Sequence, residues 1–160
     1  MRLDYRTEFP SGARALADLE AALRKGPLEH DLLELVKIRA SQLNGCAFCL
    51  AMHTRDARAQ GESQVRLDTV SAWRETPFFS DRERAALAWC ETLTELSRKG
   101  APDSDFAALE AVFTSEEIAA LTFAIVAINS WNRLAVGLGS EVTSLEGIDF
   151  PTGCQAGDRP

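Results

Sequence analysis

Apolar residues recur along this chain at helical spacing from end to end, and no stretch alternates convincingly with the two-residue period of a strand. Ala15, Leu16, Leu19, Ala22 and Leu23 share one face, which predicts a first helix over Gly12 to Lys25, stopped by Gly26-Pro27. A second is expected from about Leu28 to Leu43, with Leu32, Leu35, Val36 and the stem of Arg39 along one side. Asn44-Gly45 is a turn dipeptide and a credible helix C-terminus, so Cys46 opens a third helix that ends near Gly61. Ser63 can cap a short fourth helix through Trp73, and RETPFFS reads as a loop. Ser80-Asp81-Arg82-Glu83 is a capping box, serine at the N-cap and glutamate three residues on, starting a helix to Leu96 or Ser97. Gly100-Ala101-Pro102 breaks the chain, and a helix follows from Asp103 or Ser104 to Val112 or Phe113. Thr114 to Glu117 is a second capping box, ahead of a long helix reaching Ala135 or Val136. Its apolar run from Ile118 to Ile128 contains Thr122 and leads into Asn129, which suits a buried helix better than a membrane span. The pattern predicts an all-α fold, one compact multi-helix domain over residues 1–139, with a tail over 140–160 rich in glycine, proline and small polar residues.

Composition narrows the function classes. A chain of 160 residues is one domain by length, with 46% hydrophobic and 26% charged residues. Its net charge of −7 argues against binding to nucleic acid or to an acidic membrane surface. MRLDYRTEFPSG has no apolar core of a signal peptide, so a cytoplasmic location is expected. There a C-x-x-C is more often catalytic or metal-binding than a structural disulfide. Of the four cysteines, Cys90 sits among apolar neighbours as an inert core residue, and Cys154 in the tail is an exposed bystander.

The chemistry concentrates in ELVKIRASQLNGCAFCLAMH: Cys46, Cys49 and His53 in a C-x-x-C-x-x-x-H run, with Glu34 upstream. On a helix the two thiols and the imidazole fall within roughly 60° of arc, and residues three and four apart are neighbours. Cys46 at a helix N-terminus gains from the unpaired N–H groups and the dipole, which favour a thiolate. His53 can accept a thiol proton, and Glu34 can hold the imidazole tautomer, directly or through water. Cα atoms three apart in a helix lie about 5 Å from each other, within bridging range, so a sulfenic acid on one cysteine can be trapped by the other. The same four side chains also compose a possible Cys₂HisGlu zinc set, although structural zinc usually draws on a second knuckle, and none is present. A thioredoxin-like fold is a poor fit, because a helix rather than a strand precedes the motif. Attachment of c-type haem requires the histidine directly after the second cysteine.

Glutamate, eleven residues, then C-x-x-C-x-x-x-H, together with the flanks ELVKIRASQLNGCAFC, HTRDARAQGES, AWRETPFFSDRERAALAW and INSWNRLAVG, resembles the AhpD-like alkylhydroperoxidases of the carboxymuconolactone decarboxylase superfamily. The resemblance covers about Ala15 to Gly139. It implies an all-α AhpD-like fold assembled as a homo-oligomeric helical bundle, trimer or hexamer, with no cofactor and no metal. It also implies a hydroperoxide substrate and an external dithiol reductant, a protein or a lipoyl-type group. By that resemblance Cys49 attacks the peroxide, Cys46 resolves it as a disulfide, and His53 and Glu34 relay the proton. The best-known members have a histidine between the cysteines, where this chain has Phe48. Two other classes use the same cluster: a redox-sensing or zinc-binding interaction protein, and a general dithiol–disulfide oxidoreductase. Trp131-Asn132-Arg133 reads as a packing or interface element, with Asn132 or Arg133 at the mouth of the site as the functional alternative. Phe78 and Phe79 read as core or interface.

Overall fold

The computed structural model describes residues 1–142, and every regular element among them is helical. The helices are α1 (Tyr5–Glu8), α2 (Pro10–Arg24), α3 (His30–Leu43), α4 (Ala47–Ala59), α5 (Gln64–Thr69), α6 (Asp81–Thr94), α7 (Leu96–Lys99), α8 (Asp103–Glu110) and α9 (Ser115–Leu138), with a 3₁₀ turn at Val70–Glu75. Both capping boxes form, at Ser80/Glu83 and at Thr114/Glu117. Each satisfies two backbone N–H groups that the helix itself cannot. The first helix starts earlier than its apolar spacing predicts, because Pro10 occupies its first turn, where a missing N–H costs nothing. The expected helix to Leu96 or Ser97 breaks instead at Glu95, whose φ of −103° and ψ of 25° are not helical, and a separate turn follows. The last helix runs on to Leu138 and stops at Gly139, in the left-handed region at φ 69°. Most of the expected tail, with Cys154, lies outside the described residues.

Helix α3 is the centre of the molecule, packing against α4, α6, α9 and the 3₁₀ turn. It is buried nearly all round. Leu35 and Ile38 face a cluster with Leu67, Val70, Trp73, Phe79 and Leu87. Leu32, Leu33, Val36 and Ala40 join the larger core with Trp89, Leu121, Ile125 and Ile128. Phe79 is therefore a core residue, while its neighbour Phe78 is 43% exposed. A third stripe of α3 is polar yet inside the protein: Glu34, Lys37 and Ser41, at i, i+3 and i+7. Helix α9 has the length and, at 1.3, the mean hydropathy of a membrane span, but half of that window is buried against the rest of the protein.

The junction between α3 and α4 sets the site. Cys46 N–H donates to Ser41 C=O at 2.9 Å and Gly45 N–H to Gln42 C=O at 3.2 Å, the paired bonds of a Schellman motif. Gly45 takes the left-handed conformation that motif needs, at φ 63°. The next residue, Cys46, is the N-cap of α4, with no loop between the two helices. A Cβ at position 45 would meet nothing within 4 Å, so the only cost of a side chain there is backbone strain. Gly45→Ala should lower the unfolding free energy by about 1 kcal/mol in urea titration, and Gly45→Asn by less, since asparagine tolerates this region.

Candidate functional site

The four residues singled out in the sequence come together. Cys46 and Cys49 are 1% and 2% exposed, and both are free thiols. The backbone N–H of Cys49 donates to Cys46 Sγ at 3.4 Å, so the sulfur itself caps α4. His53, one turn beyond Cys49, is held by a direct hydrogen bond of 2.8 Å between its Nδ1 and Glu34 Oε2. With Nδ1 engaged by the carboxylate, Nε2 is the nitrogen left to exchange protons. Among the described residues, no three His, Cys, Asp or Glu side chains converge as a set that could hold a metal ion.

The site opens on a cavity of about 250 Å³. Tyr5, Leu33, Phe48, Met52, Trp131 and Ala135 form its apolar wall, and Cys49 and His53 reach it. Cys46 is not part of the lining. Phe48, between the two cysteines, is thus a hydrophobic surface beside Cys49. Tyr5 comes from the short N-terminal helix and packs against Trp131, ring centroids 6.2 Å apart. The N-terminal segment is pinned there by Arg2 N–H on Leu138 C=O at 2.7 Å.

Electrostatically the two thiols are unequal. Cys46 is drawn down to about 6, chiefly by the hydrogen bond from the Cys49 side chain; burial opposes this, while the Cys49 N–H, the Asn132 side chain and the His53 charge assist. Cys49 moves up, because it is the donor in that bond and is buried beside the Cys46 charge. The bond between the sulfurs therefore favours the proton on Cys49 and the anion on Cys46. Burial works to raise Glu34, but the charge and hydrogen bond of His53, then Lys37 and Arg24, bring its carboxyl below the usual carboxylate range.

Several functional groups were not legible in the motif. Asn132 is 1% exposed and is not in the cavity lining, so it is not at the mouth of the site; its side chain favours the anionic form of both thiols. Its Nδ2 donates to Ser41 Oγ at 3.1 Å, and its Oδ1 accepts from Asn44 Nδ2 at 2.9 Å. Of its neighbours, Trp131 lines the cavity and Arg133 reaches back to Asn129 C=O at 2.8 Å. The available signal was two asparagines, at 129 and 132, within a helix otherwise apolar enough to be buried, since each needs polar partners there. Lys37 and Glu20 form a buried ion pair at 2.8 Å, and Lys37 stands 3.8 Å from the other oxygen of Glu34.

The carboxymuconolactone decarboxylase family model matches residues 10–92. The uncharacterized protein YdfG of Bacillus subtilis (strain 168) is 37% identical over 143 residues, 89% of this chain and 97% of that protein. A crystal structure from Agrobacterium tumefaciens, of a protein of unknown function named provisionally as the antioxidant defence protein AhpD, superposes with a TM-score of 0.84 at 43% identity, covering 88% of this chain and 96% of that one. The apo debrominase Bmp8 has a TM-score of 0.77 at 18% identity, over 86% of this chain and 74% of its own, which is a likeness of fold.

The hydrogen bond between the thiols has a direct consequence. Thiolate absorbance of the reduced protein should titrate with a midpoint near 6. Cys49→Ala removes the donor, so the Cys46 midpoint should climb toward the free-cysteine value of about 8.5. An unchanged midpoint would assign the activation to the helix terminus alone.

Proposed function

Because this chain belongs to the carboxymuconolactone decarboxylase family, as an AhpD-like member of it, and opens a buried dithiol with a carboxylate-held histidine onto an apolar cavity, we propose that it is a thiol-dependent peroxidase. Its substrates are organic hydroperoxides, and it turns over through a Cys46–Cys49 disulfide. The observation that carries the reading is the position of Cys49, which lines the cavity while Cys46 does not.

In this reading the proton shared by the sulfurs moves onto Cys46 or is taken by His53, leaving Cys49 as the thiolate that meets substrate. Cys49 Sγ attacks the outer peroxide oxygen and the O–O bond breaks. The products are a sulfenic acid on Cys49 and an alkoxide, which takes a proton from the imidazolium or from Cys46 to leave as alcohol. Cys46, as thiolate, then attacks the Cys49 sulfur and expels hydroxide, which takes a proton from solvent to leave as water, and the disulfide is closed. An external dithiol reduces it by exchange, giving up two electrons and two protons and leaving as its own disulfide. Glu34 keeps the imidazole in the tautomer whose Nε2 works, and Phe48, Met52 and Trp131 give the organic part of the substrate a dry surface.

Peroxide reduction measured with dihydrolipoamide, thioredoxin and glutathione as alternative reductants tests this directly. Cys49→Ser should abolish reaction with peroxide, while Cys46→Ser should give one stoichiometric burst and a sulfenic acid on Cys49 that dimedone traps. His53→Gln and Glu34→Gln should each slow turnover by about 10- to 10⁴-fold. If Cys46→Ser is the variant that removes all reaction, the roles of the sulfurs are reversed.

We propose further that the protein works as a homo-oligomer. Phe123 and Val126, one turn apart on the outer side of α9, are 57% and 51% exposed, and such a surface is normally covered. Light scattering at micromolar concentration should give a multiple of the 17.5 kDa chain mass, and Phe123→Glu should shift the population toward monomer.

A further inference from the structure

Beside the Glu34–His53 pair, in the lining of the same cavity, lies a second pair of charges, Glu20 and Lys37, that the peroxidase reading does not use. Lys37 sits one turn after Glu34 on α3, its side chain 7% exposed. Its Nζ is 2.8 Å from Glu20 Oε2, on α2, and 3.8 Å from Glu34 Oε1. The other oxygen of Glu34 binds His53 Nδ1 at 2.8 Å, on α4. Four ionisable side chains from three helices thus form one line that ends on the imidazole. A buried Lys–Glu pair is weak evidence for a stabilising role, because apolar residues of similar size usually serve as well or better. The net charge it leaves beside the thiols is a property that apolar residues cannot supply.

We propose that Lys37 and Glu20 are positioning residues that set the electrostatic balance of the site: Lys37 keeps Glu34 ionised as the acceptor for His53, and Glu20 offsets the charge that Lys37 brings. With Glu20 and Glu34 ionised, Lys37 protonated and His53 neutral, the line carries one net negative charge. Transfer of a thiol proton to His53 makes the line neutral and places the negative charge on sulfur. Without Lys37 the line would already hold two negative charges before the thiolate formed. Without Glu20 it would hold none. The lone pairs of Glu34 point the same way, one oxygen toward the cation and the other toward the imidazole.

Other charges face the same space and remain constant in this comparison. Tyr5 and Arg6 come from α1, Arg24 from α2, His30 from α3 and Asp56 from α4, while α9 contributes the uncharged Trp131 and Ala135. Asp56 is engaged by Arg55 at 2.7 Å. Of these, Arg24 also helps to lower the Glu34 carboxyl, and it is unchanged in every variant compared below.

The proposal rests on the reading of His53 as the partner of the thiols, and its test uses no peroxide. The pH midpoint of thiolate formation, followed by absorbance and by the iodoacetamide alkylation rate, is measured for the intact protein and four variants. Removing a cation makes nearby protons harder to lose, and removing an anion makes them easier to lose. Lys37→Met should therefore raise the midpoint by about one pH unit, a tenfold loss of thiolate at fixed pH below it, and Glu20→Gln should lower it. The Glu20→Gln/Lys37→Met double variant restores the net charge and should titrate near wild type, and Lys37→Arg should do so too. A merely structural role would move both single variants in the same direction and would show in melting temperature rather than in opposed midpoints. Should Lys37→Met fail to fold, Glu20→Gln decides alone. Midpoints that do not move, or that move together, would overturn the proposal. Opposed midpoints in a protein that consumes no peroxide would keep it and remove the peroxidase reading instead.

Discussion

Everything in this site depends on two helices meeting without a loop. The Schellman turn that ends α3 and the cap that begins α4 share Cys46, and that sharing is possible because Gly45 can occupy the left-handed region. A longer connection would let α4 rotate or slide against α3. Glu34, about three turns back from the junction, would then no longer fall opposite His53, about two turns forward of it. The constraint also places the Cys46 sulfur where backbone N–H groups of α4 point, so the element that fixes geometry also supplies part of the charge stabilisation.

Around that junction the protein accepts a polar interior in an otherwise apolar bundle. Ser41, Asn44, Asn129 and Asn132 are linked to one another, and no buried side-chain nitrogen or oxygen among the described residues lacks a partner. Satisfied networks of this kind define one arrangement where an apolar contact would tolerate several. Asn132 joins this network to the sulfurs, so the floor of the site is tied to α9, the longest helix, as well as to α3. The apolar wall above and the hydrogen-bonded floor below differ for a physical reason. An apolar wall can desolvate what enters the cavity, and a fully satisfied hydrogen-bonded floor keeps its donors in fixed positions.

The all-helical fold and its punctuation were legible because capping boxes, Gly-Pro and Asn-Gly act locally, within four or five residues of where they stand. The motif residues were legible for the same reason: Cys46, Cys49 and His53 lie on one helix, and Glu34 is separated from them by a turn whose geometry Gly45 announces. Glu20 and Asn132 were not legible. They arrive from α2 and α9, and nothing in the local pattern states which face of one helix will meet which face of another. Lys37 was hidden differently. A lysine on a helix is normally solvent-facing, and only the burial of α3 on every side turns it inward. The break at Glu95 was missed because the apolar period continues across it, and tertiary packing rather than composition ends the helix there.

The inequality of the thiols follows from burial and direction together. Two buried sulfurs this close are not readily anionic together, so the proton is favoured on one of them. Asn132 and the Cys49 N–H act on both sulfurs; what separates the two is the bond between them, in which Cys49 donates and Cys46 accepts, together with the N-cap position of Cys46. The anion is thus favoured on the sulfur of the cysteine that does not line the cavity, hydrogen-bonded to the one that does. A thiolate held in the cavity itself would be open to any electrophile that entered. Held behind Cys49 it is shielded by that side chain, and under the peroxidase reading proposed above Cys46 would be placed to close a disulfide once Cys49 had reacted.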